Sequence, residues 1–179
     1  MSGFRFGLGH VTLDFLATLG GKPERRVERL AVPGDLSGWI AEAGIAAAAR
    51  ASRESLDQAR DLREAIRCLL DCARQDGSPG ESDLQLVNEW ARSPVAVPQI
   101  GPDFARASVG PDPVTGALAY IARESVDFIT GPDLGRLRNC AGCALLFIDR
   151  SRPGTRRWCS MERCGNRSKT ASYRQKQRA

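Results

Sequence analysis

The sequence predicts an α+β fold that is mostly α, with a helical N-terminal domain, a small β-hairpin and a small cysteine-rich module that ends in a basic helix. Three observations predict this class. Apolar residues recur at helical spacing in five stretches, two short runs alternate as strands do, and four of the six cysteines cluster near the end of the chain. At 179 residues the chain is long enough to bury a core.

Two helices are predicted at the start of the chain. The first covers Leu8–Leu19, where the apolar residues form one stripe and a glycine pair follows. Lys22–Gly34 is interpreted as a connection. A second helix is predicted to begin at Asp35 or Ser37 and to end near Gly44.

Three further helices and the hairpin complete the predicted domain. The longest helix is predicted over about Ser52–Gln75, with its apolar residues on one side, and the next over Ser82–Arg92. Val95–Ile100 and Phe104–Val109 are short, partly alternating runs that predict the hairpin, and a proline in the first run favours an edge strand. A fifth helix is predicted over Val114–Ile129, and a Gly-Pro pair ends it.

Two closely spaced cysteine pairs are the most specific motif in the chain. Cys140 and Cys143 form a Cys-x-x-Cys pair, and Cys159 and Cys164 follow after fifteen intervening residues. Four thiolates hold zinc in a tetrahedral shell, and such pairs supply two ligands from each of two turns. The motif therefore predicts one structural Zn²⁺ per chain, and a closed shell of this kind predicts no enzyme activity. Disulfides, chance pairs and a redox dithiol at the first pair are the alternatives.

The net charge of +5 conceals a division between two parts of the chain. From Arg136 onward there are twelve Lys or Arg and two acids, a net of +10, whereas the preceding residues carry fourteen against nineteen, a net of −5. We therefore expect an acidic helical domain at residues 1–132 and a basic module at residues 133–179. A basic module neutralises phosphates and releases counterions, which predicts a nucleic-acid partner. A solvated basic tail is the alternative.

The last helix, predicted to begin near Met161, carries a stripe of arginines. At about 100° per residue, Arg163, Arg167, Arg174 and Arg178 fall on one face, and a face of small residues is left to pack against the metal. The arginine face can meet phosphates or base edges of duplex DNA, and a merely solvated face is the alternative. The predicted DNA contacts are Arg156, Arg157, Arg163, Arg167, Lys169, Arg174 and Arg178.

The cysteine-rich module resembles a known family. Cys164-Gly-Asn-Arg167 is the motif that gives the CGNR zinc fingers their name. Arg136-Leu-Arg-Asn-Cys140, Phe147-Ile-Asp-Arg-Ser-Arg152 and Arg157-Trp-Cys-Ser-Met161 are similar to the rest of the finger, and the resemblance covers about residues 136–178. It implies a zinc-stapled module that binds DNA.

The preceding residues resemble the ABATE domain of stress-induced transcription regulators. The resemblance depends on Leu13-Asp14-Phe15-Leu16, on Leu62-Arg-Glu-Ala-Ile-Arg67 and on Leu86-Val-Asn88. Ala17-Thr18 departs from the pattern, because many relatives have Asn before Thr there. The resemblance implies a one-component bacterial regulator in which a sensing helical domain precedes the DNA-binding end.

Polar residues of the helical domain form a candidate pocket for an anionic or polar small molecule. His10, Asp14 and Thr18 recur at four-residue spacing and share a helix face, and the others lie in the motifs of the resemblance. Hydrogen bonds and ion pairs between helices are the alternative role, and Cys68 and Cys72 are expected to be packed or idle thiols. The candidate pocket residues are His10, Asp14, Thr18, Arg63, Arg67 and Asn88.

These observations together predict a zinc-dependent transcription regulator that binds double-stranded DNA and responds to a small-molecule ligand. A homodimer is expected, because two-fold symmetry would bring the basic modules of two chains to two half-sites on the DNA. A zinc-stapled adaptor for an acidic protein and an RNA-binding protein are the alternatives, although few aromatic residues are available to stack on bases. The chain begins without a basic-then-apolar leader and has no run of roughly 20 apolar residues, so a cytoplasmic protein without a membrane partner is expected.

Overall fold

The computed structural model describes residues 3–22, 25–46 and 49–170. The strands pair in antiparallel twos: Leu19–Gly20 pairs with Val27–Glu28, Val97–Ile100 with Arg106–Val109, and Leu137–Asn139 with Leu146–Ile148. The predicted class, a mostly helical α+β fold with a hairpin and a cysteine module that ends in a helix, is confirmed. In chain order the elements are α1 (Val11–Leu16), β1 (Leu19–Gly20), β2 (Val27–Glu28), α2 (Pro33–Glu42), α3 (Arg53–Ala73), α4 (Glu81–Arg92), β3 (Val97–Ile100), β4 (Arg106–Val109), α5 (Pro113–Thr130), β5 (Leu137–Asn139), β6 (Leu146–Ile148) and α6, whose first turn is Met161–Gly165 and which continues over residues 166–170.

The first helix is shorter than the sequence predicts. The apolar stripe predicts Leu8–Leu19, whereas α1 covers Val11–Leu16. Gly7 and Gly9 have φ angles of 81° and 104°, which lie outside the helical region and suit a residue without a Cβ. The Nδ1 atom of His10 accepts a hydrogen bond of 3.3 Å from the backbone N–H two residues later and so caps the start of the helix. After its sixth residue the chain soon extends into β1, so the prediction is too long at both ends.

The segment interpreted as a connection, Lys22–Gly34, contains secondary structure. Its middle forms β2, which pairs with β1, and α2 begins at Pro33. A proline in the first turn lacks an N–H that would have no helical partner in any case. The carboxylate of Asp35 accepts two hydrogen bonds of 2.9 Å from the backbone N–H groups just before the helix. The predicted start at Asp35 or Ser37 is therefore too late, because the proline begins the helix.

The remaining helices and the hairpin agree with the prediction to within two residues at each end. A reciprocal pair of hydrogen bonds starts α3. The Ser52 hydroxyl accepts from the N–H of Ser55 at 3.1 Å, and the Ser55 hydroxyl accepts from the N–H of Ser52 at 2.8 Å. Within the described ranges no helix is long and apolar enough to cross a bilayer.

The hairpin β3–β4 carries several apolar side chains on its surface. We call Val97, Ile100, Phe104 and Val109 the hairpin patch. Ile100 is 81% exposed and Phe104 is 91% exposed, and both valines are more than half exposed. Val97 lies opposite Val109 in the register, so these two side chains are cross-strand neighbours.

The main hydrophobic core lies between α1, α3 and α5. Leu62 and Ile66 of α3 and Leu118 and Ile121 of α5 are fully buried, and so is Trp39 of α2. The same cluster continues into the cysteine module through three buried apolar side chains of β5 and β6. The helical part and the module therefore pack together.

The N-terminal segment contacts the module directly. The Ile148 N–H donates a hydrogen bond of 2.9 Å to the Leu8 carbonyl, and the Arg150 guanidinium donates one of 3.2 Å to the Gly9 carbonyl. A Cβ on Gly9 would lie 2.9 Å from the Cβ of Ile148, so only glycine fits this approach without displacement. These contacts fix the module beside α1.

Candidate metal centre and nucleic-acid interface

Four cysteine Sγ atoms meet in the C-terminal module. The thiols of Cys140, Cys143, Cys159 and Cys164 all lie within 4.8 Å of one another. The Sγ–Sγ separation is 3.7 Å for Cys143–Cys159 and 3.8 Å for Cys159–Cys164, far beyond the length of a disulfide bond. A tetrahedral zinc ion with Zn–S bonds of about 2.3 Å places its sulfur atoms about 3.8 Å apart. The four thiols therefore fit one Zn²⁺ ion.

The strands β5 and β6 position the first cysteine pair. The Cys140 N–H donates to the Leu145 carbonyl at 2.9 Å, and the Cys140 carbonyl accepts from the Ala144 N–H at 2.9 Å. Ala144 has a φ of 61°, so the chain reverses within a few residues. A Cβ on Gly142 would lie 3.1 Å from the Cβ of Cys164, so a side chain there would press the two halves of the site apart.

Ser160 starts α6 and positions the second pair. Its hydroxyl accepts from the Arg163 N–H at 3.4 Å, and its carbonyl accepts from the N–H groups of both Cys164 and Gly165, at 3.0 and 3.1 Å. The bond to Gly165 spans five residues, so the first turn of α6 is a π-turn, a feature often found at functional sites. Cys164 is buried and lies with the other three thiols.

Thiols as close as these compete for ionisation. A hydrogen bond from the Cys159 thiol lowers the pKa of Cys143 to about 5, against the opposing effect of burial. Burial raises the pKa of Cys164 to about 11, and the hydrogen bond to Cys143, followed by burial, raises the pKa of Cys159. A divalent cation removes this conflict, because its charge stabilises all four thiolates and releases their protons.

Asp149 holds the loop between the two cysteine pairs, and it is buried. Its carboxylate accepts from the N–H and the hydroxyl of Ser151 at 2.9 and 2.6 Å, and from the Arg156 N–H at 2.7 Å. The Ser151 hydroxyl, opposed by burial and assisted by the backbone N–H groups, lowers the pKa of Asp149. Asp149 lies in the motif Phe147-Ile-Asp-Arg-Ser-Arg152, but its role in the loop was not predicted, although an Asp that accepts from the backbone two residues on is a known loop signal.

The exposed face of α6 lies opposite its buried residues. Arg163, Arg167 and Lys169 are exposed, whereas Cys164 and Gly165 are buried. The side chains of Arg163 and Arg167 have no hydrogen bond or ion pair within the part of the chain that the structure describes. Arg174 and Arg178, the other two members of the predicted arginine stripe, lie outside the described residues.

Arg156 and Arg157, the other two predicted DNA contacts, lie before α6 and contact aromatic rings. The Arg156 guanidinium lies 5.3 Å from the centroid of the Phe147 ring and donates to the Cys159 carbonyl at 3.0 Å. The Arg157 guanidinium lies 5.3 Å from the ring of Trp158. Both arginines are exposed, so their charges face solvent while Arg156 packs on β6 and Arg157 packs on Trp158, next to the second cysteine pair.

Thr18 and Arg63, two of the predicted pocket residues, form an internal polar network. Arg63 is 2% exposed. Its Nη1 donates to the Thr18 hydroxyl at 3.0 Å, and its two Nη atoms donate to both carboxylate oxygens of Glu28 at 2.8 and 2.6 Å. This network ties α3 to β2 and to the segment after α1, which is the alternative role that the sequence analysis left open.

Three other predicted pocket residues also have internal partners. The Asp14 carboxylate accepts from the Leu8 N–H at 2.9 Å, and burial raises its pKa. Burial lowers the pKa of His10, although its ring lies 3.5 Å from a Glu124 carboxylate oxygen. The Arg67 guanidinium donates to two backbone carbonyls at the end of α1 and in β1, at 2.8 and 3.3 Å.

Among the described residues, the six predicted pocket residues do not share one of the main cavities. Asn88 is exposed on α4 and lines a different cavity from Arg67. Among the main cavities of the described ranges, none is lined by more than one of the six. Cys68 is exposed and Cys72 is half-buried, and neither belongs to a metal-ligand cluster of the described residues.

Comparison with known families gives two matches. The family model for ABATE, described as "Putative stress-induced transcription regulator", matches residues 9–132, and the model for the CGNR zinc finger matches residues 136–177. No curated protein matches the chain. The finger match and the cluster of four thiols together confirm the prediction of one structural zinc ion.

Proposed function

Because the chain belongs to the ABATE family of transcription regulators and carries a CGNR zinc finger, we propose that it is a zinc-dependent regulator that binds double-stranded DNA. The observation that carries this proposal is the exposed face of α6. Arg163 and Arg167 have no acidic partner there, and Cys164 of the same helix is buried at the metal centre. Free guanidinium groups on a rigid helix suit phosphates and guanine edges.

Zinc has a structural role in this proposal. Its four thiolates close the coordination shell, which leaves no open position for hydrolytic chemistry. The metal instead joins the turn between β5 and β6, which carries Cys140 and Cys143, to the first turn of α6. The position of the arginine face therefore depends on the metal. The proposed roles are phosphate contacts for Arg156, Arg157 and Lys169, and DNA contacts from the α6 face for Arg163, Arg167, Arg174 and Arg178.

A salt series with the full-length protein tests the DNA proposal. Binding to a fluorescent 30-base-pair duplex of mixed sequence is measured between 50 and 200 mM salt. We expect the double variant Arg163→Ala with Arg167→Ala to reduce the slope of log K against log salt by about two. The charge-matched control, Arg53→Ala with Arg92→Ala, changes two arginines elsewhere on the surface and should leave the slope unchanged.

The alternatives lead to different results in the same assay. An adaptor for acidic proteins would bind a polyglutamate competitor more tightly than the duplex. An RNA-binding protein would prefer a single-stranded RNA of the same length. If the finger variant and the control bind the duplex equally well, the proposed role of α6 is wrong.

We further propose that the helical domain binds a small-molecule effector. The feature that supports it is a cavity of about 650 Å³ between the end of α2, the β3–β4 hairpin and α5. Its lining includes Ile45, Val95, Pro98 and Tyr120, and no charged side chain of the described residues lines it. This cavity suits an apolar effector, whereas the sequence predicts an anionic or polar one at other residues.

A thermal-shift screen of apolar metabolites tests the effector proposal. A ligand at 100 times its Kd should stabilise the protein by about 2.7 kcal/mol. Ala46→Trp puts a large side chain into the cavity and should abolish the shift, whereas Ala105→Trp, in the exposed hairpin turn, should retain it. A saturable hit that survives Ala46→Trp would place the effector elsewhere.

The proposed assembly is a homodimer. A single short helix covers few base pairs, and two-fold symmetry would give a second basic end. The hairpin patch supports this arrangement, because four apolar side chains on one short hairpin are more than half exposed. The basic modules repel each other, which favours an interface in the helical part of the chain.

A further inference from the structure

Two adjoining cavities lie where the helical part of the chain meets the zinc finger. The first has a volume of about 810 Å³, and its lining includes Arg5, Arg163 and Arg167. The second has a volume of about 630 Å³, and its lining includes Arg5, Lys22, Arg25 and Arg167. Arg5 and Arg167 line both cavities, so the two are neighbours, and we call the pair the seam groove.

The seam groove carries positive charge that the described residues do not balance. The side chains of Arg5, Lys22, Arg25, Arg163 and Arg167 have no hydrogen bond or ion pair within the described ranges. Among the described residues that line the two cavities, Glu162 is the one carboxylate. Uncompensated cations on a concave surface raise the local positive potential and attract anions.

Other arginines at the seam have structural roles. The Arg29 guanidinium donates to the Gly3 carbonyl at 2.7 Å and to the Ala17 carbonyl at 3.1 Å. The Arg150 guanidinium lies 3.1 Å from a carboxylate oxygen of Asp133. These internal bonds fix the backbone around the groove and leave the five unpaired cations available to an external partner.

The position of these cations contrasts with the charge of the domain that carries them. Residues before Arg136 have a net charge of −5, so the helical part should repel DNA on average. Arg5, Lys22 and Arg25 nevertheless lie on the side that faces the finger. A polyanion that approaches the finger would therefore meet further cations on the helical part.

We propose that the DNA-binding surface is composite, and that the phosphate backbone held by the zinc finger continues onto the helical domain through Arg5, Lys22 and Arg25. This inference rests on the proposed function. Five cations distributed over two neighbouring cavities suit successive phosphates along a strand better than one small anion. The finger is packed on the helical domain through Leu8 and Ile148, so the two sets of cations keep a fixed spacing.

Three full-length variants test the composite surface with the same 30-base-pair duplex. The seam variant combines Arg5→Ala, Lys22→Ala and Arg25→Ala, and the finger variant combines Arg163→Ala and Arg167→Ala. The control combines Arg50→Ala, Arg53→Ala and Arg92→Ala, which are exposed residues that line neither cavity. It loses three positive charges, as many as the seam variant loses. Zinc content and circular dichroism establish that each variant is folded.

We expect the seam variant to reduce the salt slope by about 2.7, which is about 0.9 for each lost phosphate contact, and the control to keep the slope of the parent. A seam variant that binds the duplex like the control overturns the composite surface. A reduced salt slope in the finger variant would then still support the proposed function. If the finger and seam variants both bind like the control, the proposed function fails together with this inference.

Discussion

The backbone N–H of Ile148 donates a hydrogen bond of 2.9 Å to the carbonyl of Leu8, and this bond joins the N-terminal segment to the second strand of the zinc finger. Both side chains are buried, at 2% and 5% exposure. The finger is therefore packed against the helical domain along one seam. The spacing between Arg5 and the arginines of α6 is consequently set by packing.

Removal of zinc is expected to unfold the finger and to leave α3, α4 and α5 folded. The module has little core of its own, so metal binding is coupled to its folding. Hydrogen exchange after chelation should show lost protection from Leu137 to residue 170 and at the Leu8–Ile148 contact. Metal analysis should find one zinc per chain in the parent and in Cys68→Ser, but little in Cys143→Ser. Full zinc content in Cys143→Ser would contradict the site.

Gly9→Ala is expected to destabilise the protein by about 1–3 kcal/mol. The new Cβ would lie 2.9 Å from the Cβ of Ile148, and the φ of 104° is one that L residues rarely adopt. Gly34→Ala is the matched control, because nothing lies within 4 Å of its Cβ and it is in the first turn of α2. Urea denaturation measures both variants. Equal stability of Gly9→Ala and the parent would show that the seam tolerates a side chain.

Arg63→Ala is expected to reduce the free energy of unfolding by about 3 kcal/mol. The change leaves the Glu28 carboxylate without its bidentate partner and removes a hydrogen bond to Thr18. Arg53→Ala breaks an exposed ion pair with Asp57 and should cost less than about 1 kcal/mol. Chemical denaturation of the two variants compares a partly buried pair with an exposed one, and similar losses would contradict the structural role of Arg63.

The Arg63–Glu28 pair should also contribute to acid sensitivity. Burial of Glu28 opposes the shift, but hydrogen bonds from Arg63 and from a backbone N–H lower its pKa below the ordinary 4.5. A lowered folded-state pKa stabilises the protein above about pH 4.5, and this contribution is lost as the pH falls through the folded-state value. The stability difference between the parent and Glu28→Gln should therefore shrink below that pH. A constant difference from pH 7 to pH 3 would contradict the shift.

Light scattering of the full-length protein tests the dimer. We expect a dimer at about 100 μM, and a monomer when Ile100→Asp and Phe104→Asp are combined, because two charges in the hairpin patch would be desolvated at an interface. Leu84→Asp changes an exposed apolar residue of α4 and should remain dimeric. If the protein with both hairpin changes is still a dimer, the interface lies elsewhere. If the parent is a monomer, the proposed binding of a dimer to two DNA half-sites is wrong.

Local patterns in the sequence determined much of this protein. Helical periodicity located α3, α4 and α5 to within two residues, because each helix presents a regular apolar stripe to one core. The spacing of Cys140, Cys143, Cys159 and Cys164 predicted the metal cluster, because ligands supplied in pairs by tight turns need only short-range geometry. The motifs around those cysteines also identified the family of the finger correctly.

Tertiary structure decided what depends on contacts between distant residues. Arg63 has the sequence signature of a pocket residue, yet its partners, Thr18 and Glu28, lie 45 and 35 positions away and satisfy it internally. The sequence predicts no role of their own for Asp149 and Arg5. Asp149 is fixed by hydrogen bonds within its own loop. Arg5 lies beside the finger because the Leu8 carbonyl accepts a hydrogen bond from the Ile148 N–H. Periodicity and ligand spacing are local properties of a chain, whereas burial, pairing and the sharing of a surface are set by the packing of the whole fold.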